Sequence, residues 1–251
     1  EGPAVHLGAT CSSLLGQKLG LPNNSLRIMV GCGVAAAIAA SFNTPLAGVI
    51  FAMEVVLMEY TVTGFIPIIL ASVSSALISQ VCFGDAPAFS IPALSMGSLF
   101  ELPFLVFCGI IVGLACSVVL KLHQYIQDLK TLSLTTRLLS AGILTSLAAA
   151  FVPQIMGVGY DTVEAAMLGD LSLTLLLTIA ATKLILSTVT IALGVPGGSI
   201  GPTLVIGACL GGAIGVVGTS LSPENSASSG FYATVGIGAM MAGVLNAPLA
   251  A

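Results

Sequence analysis

The sequence predicts an all-α, polytopic membrane protein built from short, tilted and broken helices. Hydrophobic residues make up 57% of its 251 residues and charged residues only 6%. With a mean hydropathy of +1.12, this is more apolar surface than a soluble domain of this length buries. Glycine and proline interrupt the apolar stretches at many points, and small residues on the helix faces let helices approach closely. These features are typical of a transporter or channel core.

Nine apolar stretches are long enough to form helices, and each is ended by glycine, proline or a polar cluster. Many are shorter than the roughly 20 residues that cross the hydrocarbon core of a membrane. The predicted helices cover residues 1–21, 26–42, 46–60, 65–83, 99–122, 138–152, 171–193, about 202–221 and 231–245. We expect polar loops at 84–97 and 222–230, and a short helix at 162–168 within the polar connection 157–169.

The break between Gly194 and Pro202 is the most informative stretch of the chain. It reads Gly-Val-Pro-Gly-Gly-Ser-Ile-Gly-Pro and leads directly into an apolar helix. Pro202 suits the first turn of that helix, where its missing N–H costs nothing. The helix therefore begins with free backbone N–H groups and the positive end of its dipole. At membrane depth such a break survives only when it is buried or lines a polar cavity, which predicts a site for an anion.

The two ends of the chain contain an internal repeat. Glycine, proline and asparagine recur in the same order, with separations between 199 and 205 residues. The matched segments are 2–9 with 201–208, 30–33 with 235–238 and 43–47 with 246–250. Broken helices at corresponding places in two repeats are a pointer to a transporter binding site. The repeat predicts that the helices starting near Gly2 and Gly201 face one another across one anion site.

Three segments carry a family resemblance. They are Glu1-Gly2-Pro3, the run from Phe42 to Gly48, and the run from Gly198 to Pro202. They resemble the Gly-x-Glu-Gly-Pro, Phe-Asn-Ala-Pro-Leu-Ala-Gly and Gly-x-Phe-x-Pro motifs of the CLC family of chloride channels and chloride/proton exchangers. The resemblance implies a CLC-type inverted repeat and a homodimer whose subunits each carry a pore. It assigns residues 1–95 to the later part of the first half and 96–251 to the second half, truncated before its last helices.

The resemblance also implies the site residues. Glu1 would be the gating glutamate, whose carboxylate competes with chloride and swings away on protonation. Ser199 and Ile200 would lend backbone N–H groups to the ion, although Ile200 stands where the family usually has phenylalanine. The anion-binding residues implied are Gly2, Pro3, Gly198, Ser199, Ile200, Gly201 and Pro202.

Val55 bears on the mode of transport. Exchangers of the family carry an inner proton-transfer glutamate at the position that Val55 occupies, directly after Glu54. Valine cannot carry a proton, so a glutamate-gated, channel-like passive conduction of chloride is the favoured prediction. The alternative is a proton-coupled anion exchanger that uses another proton route, including a fluoride-selective one.

Lys183 lies in the middle of a predicted span, where an unpaired charge is rare. One interpretation is electrostatic: the ammonium raises the positive potential near the anion path. The other is structural: Lys183 pairs with an acid such as Glu54 or Glu59, or reaches the membrane interface from a tilted helix. The residues leave both open.

Other classes of function find no support in the residues. The six cysteines and two histidines show neither a zinc spacing nor a disulfide framework, and no catalytic set or basic run indicates an enzyme or nucleic-acid binding. We expect no cofactor; chloride or another halide would be the transported ion, and the lipid bilayer the surrounding partner. The predicted location is the cell membrane, as a multi-pass protein. Because both ends fall within motifs, we expect a piece of a longer chain.

Overall fold

A computed structural model describes residues 2–84, 98, 101–128, 133–221 and 227–251. Within these residues the chain forms ten α-helices. They are α1 (Gly2–Lys18), α2 (Asn23–Phe42), α3 (Pro45–Phe51), α4 (Val62–Phe83), α5 (Leu102–Asp128), α6 (Leu134–Phe151), α7 (Tyr160–Leu168), α8 (Leu173–Ala192), α9 (Ile200–Leu221) and α10 (Ser229–Leu245). A π-helical segment, Ala52–Leu57, continues α3, and a short 3₁₀ turn, Pro153–Ile155, follows α6.

The helices that were predicted are present, with differences at their ends. α5 runs on to Asp128 instead of ending at Leu122, and α6 begins at Leu134 instead of Leu138. A polar side chain does not stop a helix, because only a missing or diverted backbone hydrogen bond does. For the same reason α2 begins at Asn23 instead of residue 26. The predicted helix start at residue 99 and most of the predicted loops at 84–97 and 222–230 lie outside the described residues.

Six of the described helices are long and apolar enough to cross a membrane: α2, α4, α5, α6, α8 and α9. Pro45–Leu57 and Ser229–Leu245 are apolar but shorter. The prediction of a polytopic membrane protein with short as well as spanning helices is confirmed. All six cysteines lie within the described residues and are free thiols.

The helices group into two compact units. One contains the described residues up to Gly84 together with Leu245–Ala251, and the other contains the described residues from there to Val244. In the first unit, α1 and α4 pack on α2 around Val34, Ile38 and Ile68. In the second, α8 and α9 pack together, and Cys108, Ile206 and Met240 belong to its core. The division of the family fold at residues 95 and 96 stays a prediction.

Glycines allow the closest helix contacts in each unit. A Cβ atom on Gly8 of α1 would collide with the carbonyl oxygen of Gly33 in α2. In the other unit, a Cβ on Gly207 of α9 would lie 2.6 Å from the carbonyl oxygen of Gly236 in α10. Side chains at these positions would force the helices apart, so only glycine permits this backbone contact.

The structure shows the internal repeat and corrects its alignment. Asn43 and Asn246 both adopt a left-handed conformation, with φ of 55° and 54°, directly after a helix. The separation that relates these two asparagines also relates Gly33 to Gly236, and both glycines contact the preceding helix. The sequence match of Gly31 with Gly236 was therefore out of register by two residues.

Glu101 joins two helices of the second unit. Its side chain, 5% exposed, accepts hydrogen bonds through Oε1 from the Ala227 N–H and, at 3.3 Å, from the Tyr232 hydroxyl. Tyr232 is fully buried and meets the ring of Phe104 edge to face, with 5.5 Å between the centroids. Glu101 directly precedes α5, so its carboxylate links the beginning of α5 to the beginning of α10.

We expect Glu101→Ala to destabilise the protein by about 1–3 kcal/mol, because it leaves the buried Ala227 N–H without this acceptor. The measurement is the midpoint of heat-induced loss of the monodisperse species in detergent. Glu59→Ala is the matched control, since Glu59 is exposed and pairs with Arg27 at 3.6 Å, an interaction worth at most about 1 kcal/mol. Equal losses in the two variants would contradict the role given to Glu101.

Candidate functional site

The break before α9 begins with a glycine-terminated end of α8. Gly194 has a φ of +93°, and its N–H donates to the Ile191 carbonyl at 2.9 Å. The Arg137 side chain of α6 donates to the Leu193 carbonyl at 2.8 Å, which satisfies one of the carbonyls that a helix end leaves free. A side chain at residue 194 would collide with Arg137, because a Cβ there would lie 2.6 Å from its Nη2.

Ser199 stands directly before α9, which begins at Ile200, slightly before the predicted start at about residue 202. The first helical hydrogen bond runs from the Thr203 N–H to the Ser199 carbonyl at 3.1 Å. The N–H groups of Ile200 and Gly201 precede it, at positions that have no acceptor within a helix, and Pro202 has no N–H at all. Ile200 and Gly201 are buried. The positive end of α9 therefore lies inside the protein.

A cavity of about 250 Å³ adjoins this helix start. Polar side chains line it: Ser199 from the break directly before α9, Thr203 of α9, Ser187 and Thr188 of α8, and His123 of α5. Sequence reasoning missed His123 because α5 was expected to end before it. The extra turns of α5 bring the imidazole to the cavity, and its Nε2 accepts a hydrogen bond from the Gln127 side-chain amide at 2.8 Å.

Lys183 adjoins a second cavity, of about 560 Å³, in the same unit. Its side chain is 5% exposed, so it does not reach out to the membrane interface. Its Nζ donates to the carbonyls of Ile155 at 2.8 Å and Gly157 at 3.0 Å. The interpretation that Lys183 pairs with Glu54 or Glu59 is wrong, because Glu59 pairs with Arg27 and Glu54 accepts backbone N–H groups. An ammonium can be satisfied by carbonyl oxygens, which every residue offers, without a carboxylate.

Lys183→Met should lower the stability of the fold, since hydrogen bonds from a charged group contribute about 1.5–3 kcal/mol and the Ile155 and Gly157 carbonyls lose their donor. The heat-denaturation midpoint and the anion flux per folded molecule are measured together. The exposed Lys121 of α5, changed to Met, is the control. A normal midpoint with reduced flux would show instead that the ammonium acts through its charge on the anion path.

The other predicted site residues lie in α1, in the break before α9 and in the π-helical segment, except for Glu1. Glu1 lies outside the described residues; Gly2 and Pro3 open α1. Gly198 precedes Ser199 in the break, and Val55 lies half-buried in the π-helical segment. The anion-binding and gating roles of these residues stay predictions. Among the residues described, no cluster of three His, Cys, Asp or Glu side chains is arranged to hold a metal ion.

Comparison with known sequences gives one family over the whole chain. The family described as "Voltage gated chloride channel" matches residues 1–251. A protein of Ralstonia nicotianae named "Putative chloride channel protein ClcB-like" is 29% identical over 99% of this chain and 60% of its own length. A Salmonella paratyphi B protein named "H(+)/Cl(-) exchange transporter ClcA" is 27% identical over 99% of this chain and 55% of its own length. The chain thus spans little more than half of these relatives.

Solved structures share the fold. A slow cyanobacterial Cl−/H+ antiporter superposes with a TM-score of 0.87 at 20% identity, covering 99% of this chain and 60% of that one. A CLC-type fluoride/proton antiporter superposes with a TM-score of 0.81 at 22% identity, covering 98% and 61%. The predicted CLC-type architecture is confirmed.

Proposed function

Because the chain belongs to the voltage gated chloride channel family, we propose that it forms the central part of a membrane anion transporter that exchanges a halide for protons. The observation that carries this proposal is the buried start of α9. There the N–H groups of Ile200 and Gly201 precede the first helical hydrogen bond, beside a cavity with hydroxyl side chains. Backbone amides at a helix N-terminus are suited to an anion that has shed its water.

The ion would be held without a cation in direct contact. The Lys183 ammonium donates to two carbonyls, and the hydroxyls of three cavity side chains, Ser187, Thr188 and Thr203, donate to helix carbonyls. The backbone amides at the start of α9 are therefore the donors that we propose for the anion. Amide donors bind an anion more weakly than a full charge does, and a conducting site needs binding weak enough for release. Such amide groups bind several small halides. We propose chloride as the principal ion, and the transport of fluoride is to be measured.

The mode of transport has two candidates. Coupling to protons is supported by the relatives, because the Salmonella protein is named as an H+/Cl− exchange transporter. This favours the alternative over the passive conduction that the sequence suggested first. Passive conduction remains the second candidate because Val55 stands where family exchangers carry a proton-transfer glutamate. If exchange occurs, its protons take a route that does not use a side chain at residue 55.

The test uses the full-length protein in liposomes with a chloride gradient and no initial pH difference. We expect chloride movement to drive protons uphill at a fixed ratio, and the same assay is repeated with fluoride. Chloride flux without any proton movement would establish the passive candidate. Absence of flux of either halide would overturn the proposed function.

A further inference from the structure

The Glu54 carboxylate makes hydrogen bonds to backbone far away in the sequence. Its Oε1 accepts from the Leu249 N–H at 3.1 Å, and its Oε2 accepts from the N–H groups of Leu249 at 3.2 Å and Ala250 at 3.0 Å. All these residues belong to the first compact unit. One carboxylate thus uses both oxygens on two successive amides.

Those amides belong to a turn that follows α10. Asn246, directly after α10, has a left-handed conformation, and the Ala251 N–H donates to the Ala247 carbonyl at 3.1 Å, which closes the turn. Within a single turn of this kind the N–H groups of Leu249 and Ala250 have no backbone acceptor. The Glu54 carboxylate supplies that acceptor.

The position of Glu54 in the π-helical segment suits this role. The segment Ala52–Leu57 continues α3, and π-helical turns frequently occur at functional sites. The neighbouring cation does not compete for the carboxylate. Arg27 pairs with Glu59 at 3.6 Å and donates to the Leu57 carbonyl at 3.1 Å.

We propose that Glu54 is a fixed anionic cap that positions the turn 247–251, and that it is not the proton carrier replacing the glutamate absent at Val55. A carboxylate offers only acceptors, which match two N–H donors. Protonation would remove the negative charge and reduce the acceptor capacity of the carboxyl, so it would weaken the hydrogen bonds from the two N–H groups. Two N–H donors are therefore unsuitable partners for a group that must gain and lose a proton in every transport cycle.

The proposal is tested in the full-length protein in liposomes, with Glu54→Gln and Glu54→Ala. We expect chloride turnover per folded molecule to fall about tenfold in the glutamine variant, because the charge-assisted hydrogen bonds are lost, and further in the alanine variant. The number of protons moved per chloride and the shape of the pH profile stay as in the unaltered protein. Glu54→Asp, which keeps the charge, should recover part of the turnover that Ala loses.

Glu59→Gln is the matched control, since this acid lies on the same stretch but pairs only at the surface, and it should leave turnover unchanged. Selective loss of proton movement in Glu54→Gln would make Glu54 a relay and overturn the proposal. Unchanged turnover would also overturn it.

A measurement that does not depend on transport separates this proposal from the proposed function. Hydrogen–deuterium exchange of the peptide covering residues 246–251 should become faster in Glu54→Gln and stay unchanged in Glu59→Gln. This readout holds whether or not the protein couples chloride to protons. Equal exchange rates in the two variants would show that Glu54 does not cap this turn.

Discussion

Replacing Glu1 by glutamine is expected to abolish chloride-driven proton movement while chloride flux continues. Glutamine resembles the protonated acid in shape and charge, but it can neither gain nor release a proton. A carboxylate beside a helix N-terminus competes with an anion there, and its neutral analogue does not. The measurement is paired recording of chloride efflux and external pH from liposomes that contain the full-length variant.

The surface variant Glu59→Gln controls for the loss of a carboxylate elsewhere on the chain and should retain the proton-to-chloride ratio. If Glu1→Gln still moved protons at the original ratio, Glu1 would not be the gating residue. If both fluxes stopped while the protein stayed folded, the side chain would be needed for anion passage itself.

Gly236→Ala is expected to destabilise the fold by about 3 kcal/mol or more, at the upper end of what overpacking costs. The new Cβ would lie 2.8 Å from the Gly211 Cα and collide with the Gly207 carbonyl oxygen. Both are backbone atoms, so no side-chain rotation relieves the contact and the helices α9 and α10 must move apart. The midpoint of heat-induced loss of the monodisperse species measures the effect.

Gly238→Ala provides a control from the same helix, two residues away. A Cβ at that position meets no atom within 4 Å. Because alanine favours a helix over glycine by about 1 kcal/mol, this variant should be unchanged or slightly more stable. If the two alanine variants lost the same stability, the contact between α9 and α10 would not explain the effect of Gly236→Ala.

Local features of the sequence were enough to locate the helices. Hydropathy identified the spans, and the Gly and Pro residues of the break 194–202 identified its position, because both properties act on the residues that carry them. Boundaries set by polar residues were less reliable. α5 continues through His123 to Asp128, since a helix tolerates polar side chains where it leaves the apolar layer.

The alignment of the internal repeat could not be decided from the sequence. Glycine is frequent in both helices, so several registers match nearly as well. The contacts of Gly33 with Gly8 and of Gly236 with Gly207 decide among them. These contacts depend on which face of each helix meets its neighbour, and a composition rich in small residues does not specify that face.

The hydrogen-bond partners of Lys183 and Glu54 could not be predicted from the sequence either. Glu54 was considered as a carboxylate partner of Lys183, yet Lys183 donates to backbone carbonyls and Glu54 accepts from backbone N–H groups. Every residue carries a carbonyl and almost every residue an N–H, so the sequence has no mark that singles out Ile155 or Leu249.

The sequence by itself determined that this is a polytopic membrane protein of the CLC type with an irregular break before α9, because solubility in lipid and helix termination are properties of neighbouring residues. Only the tertiary structure decided which backbone groups satisfy Glu54, Glu101 and Lys183, and which glycines bring helices into contact. Those choices depend on distances between segments far apart in the chain, and hydrogen bonds and close packing are short-ranged.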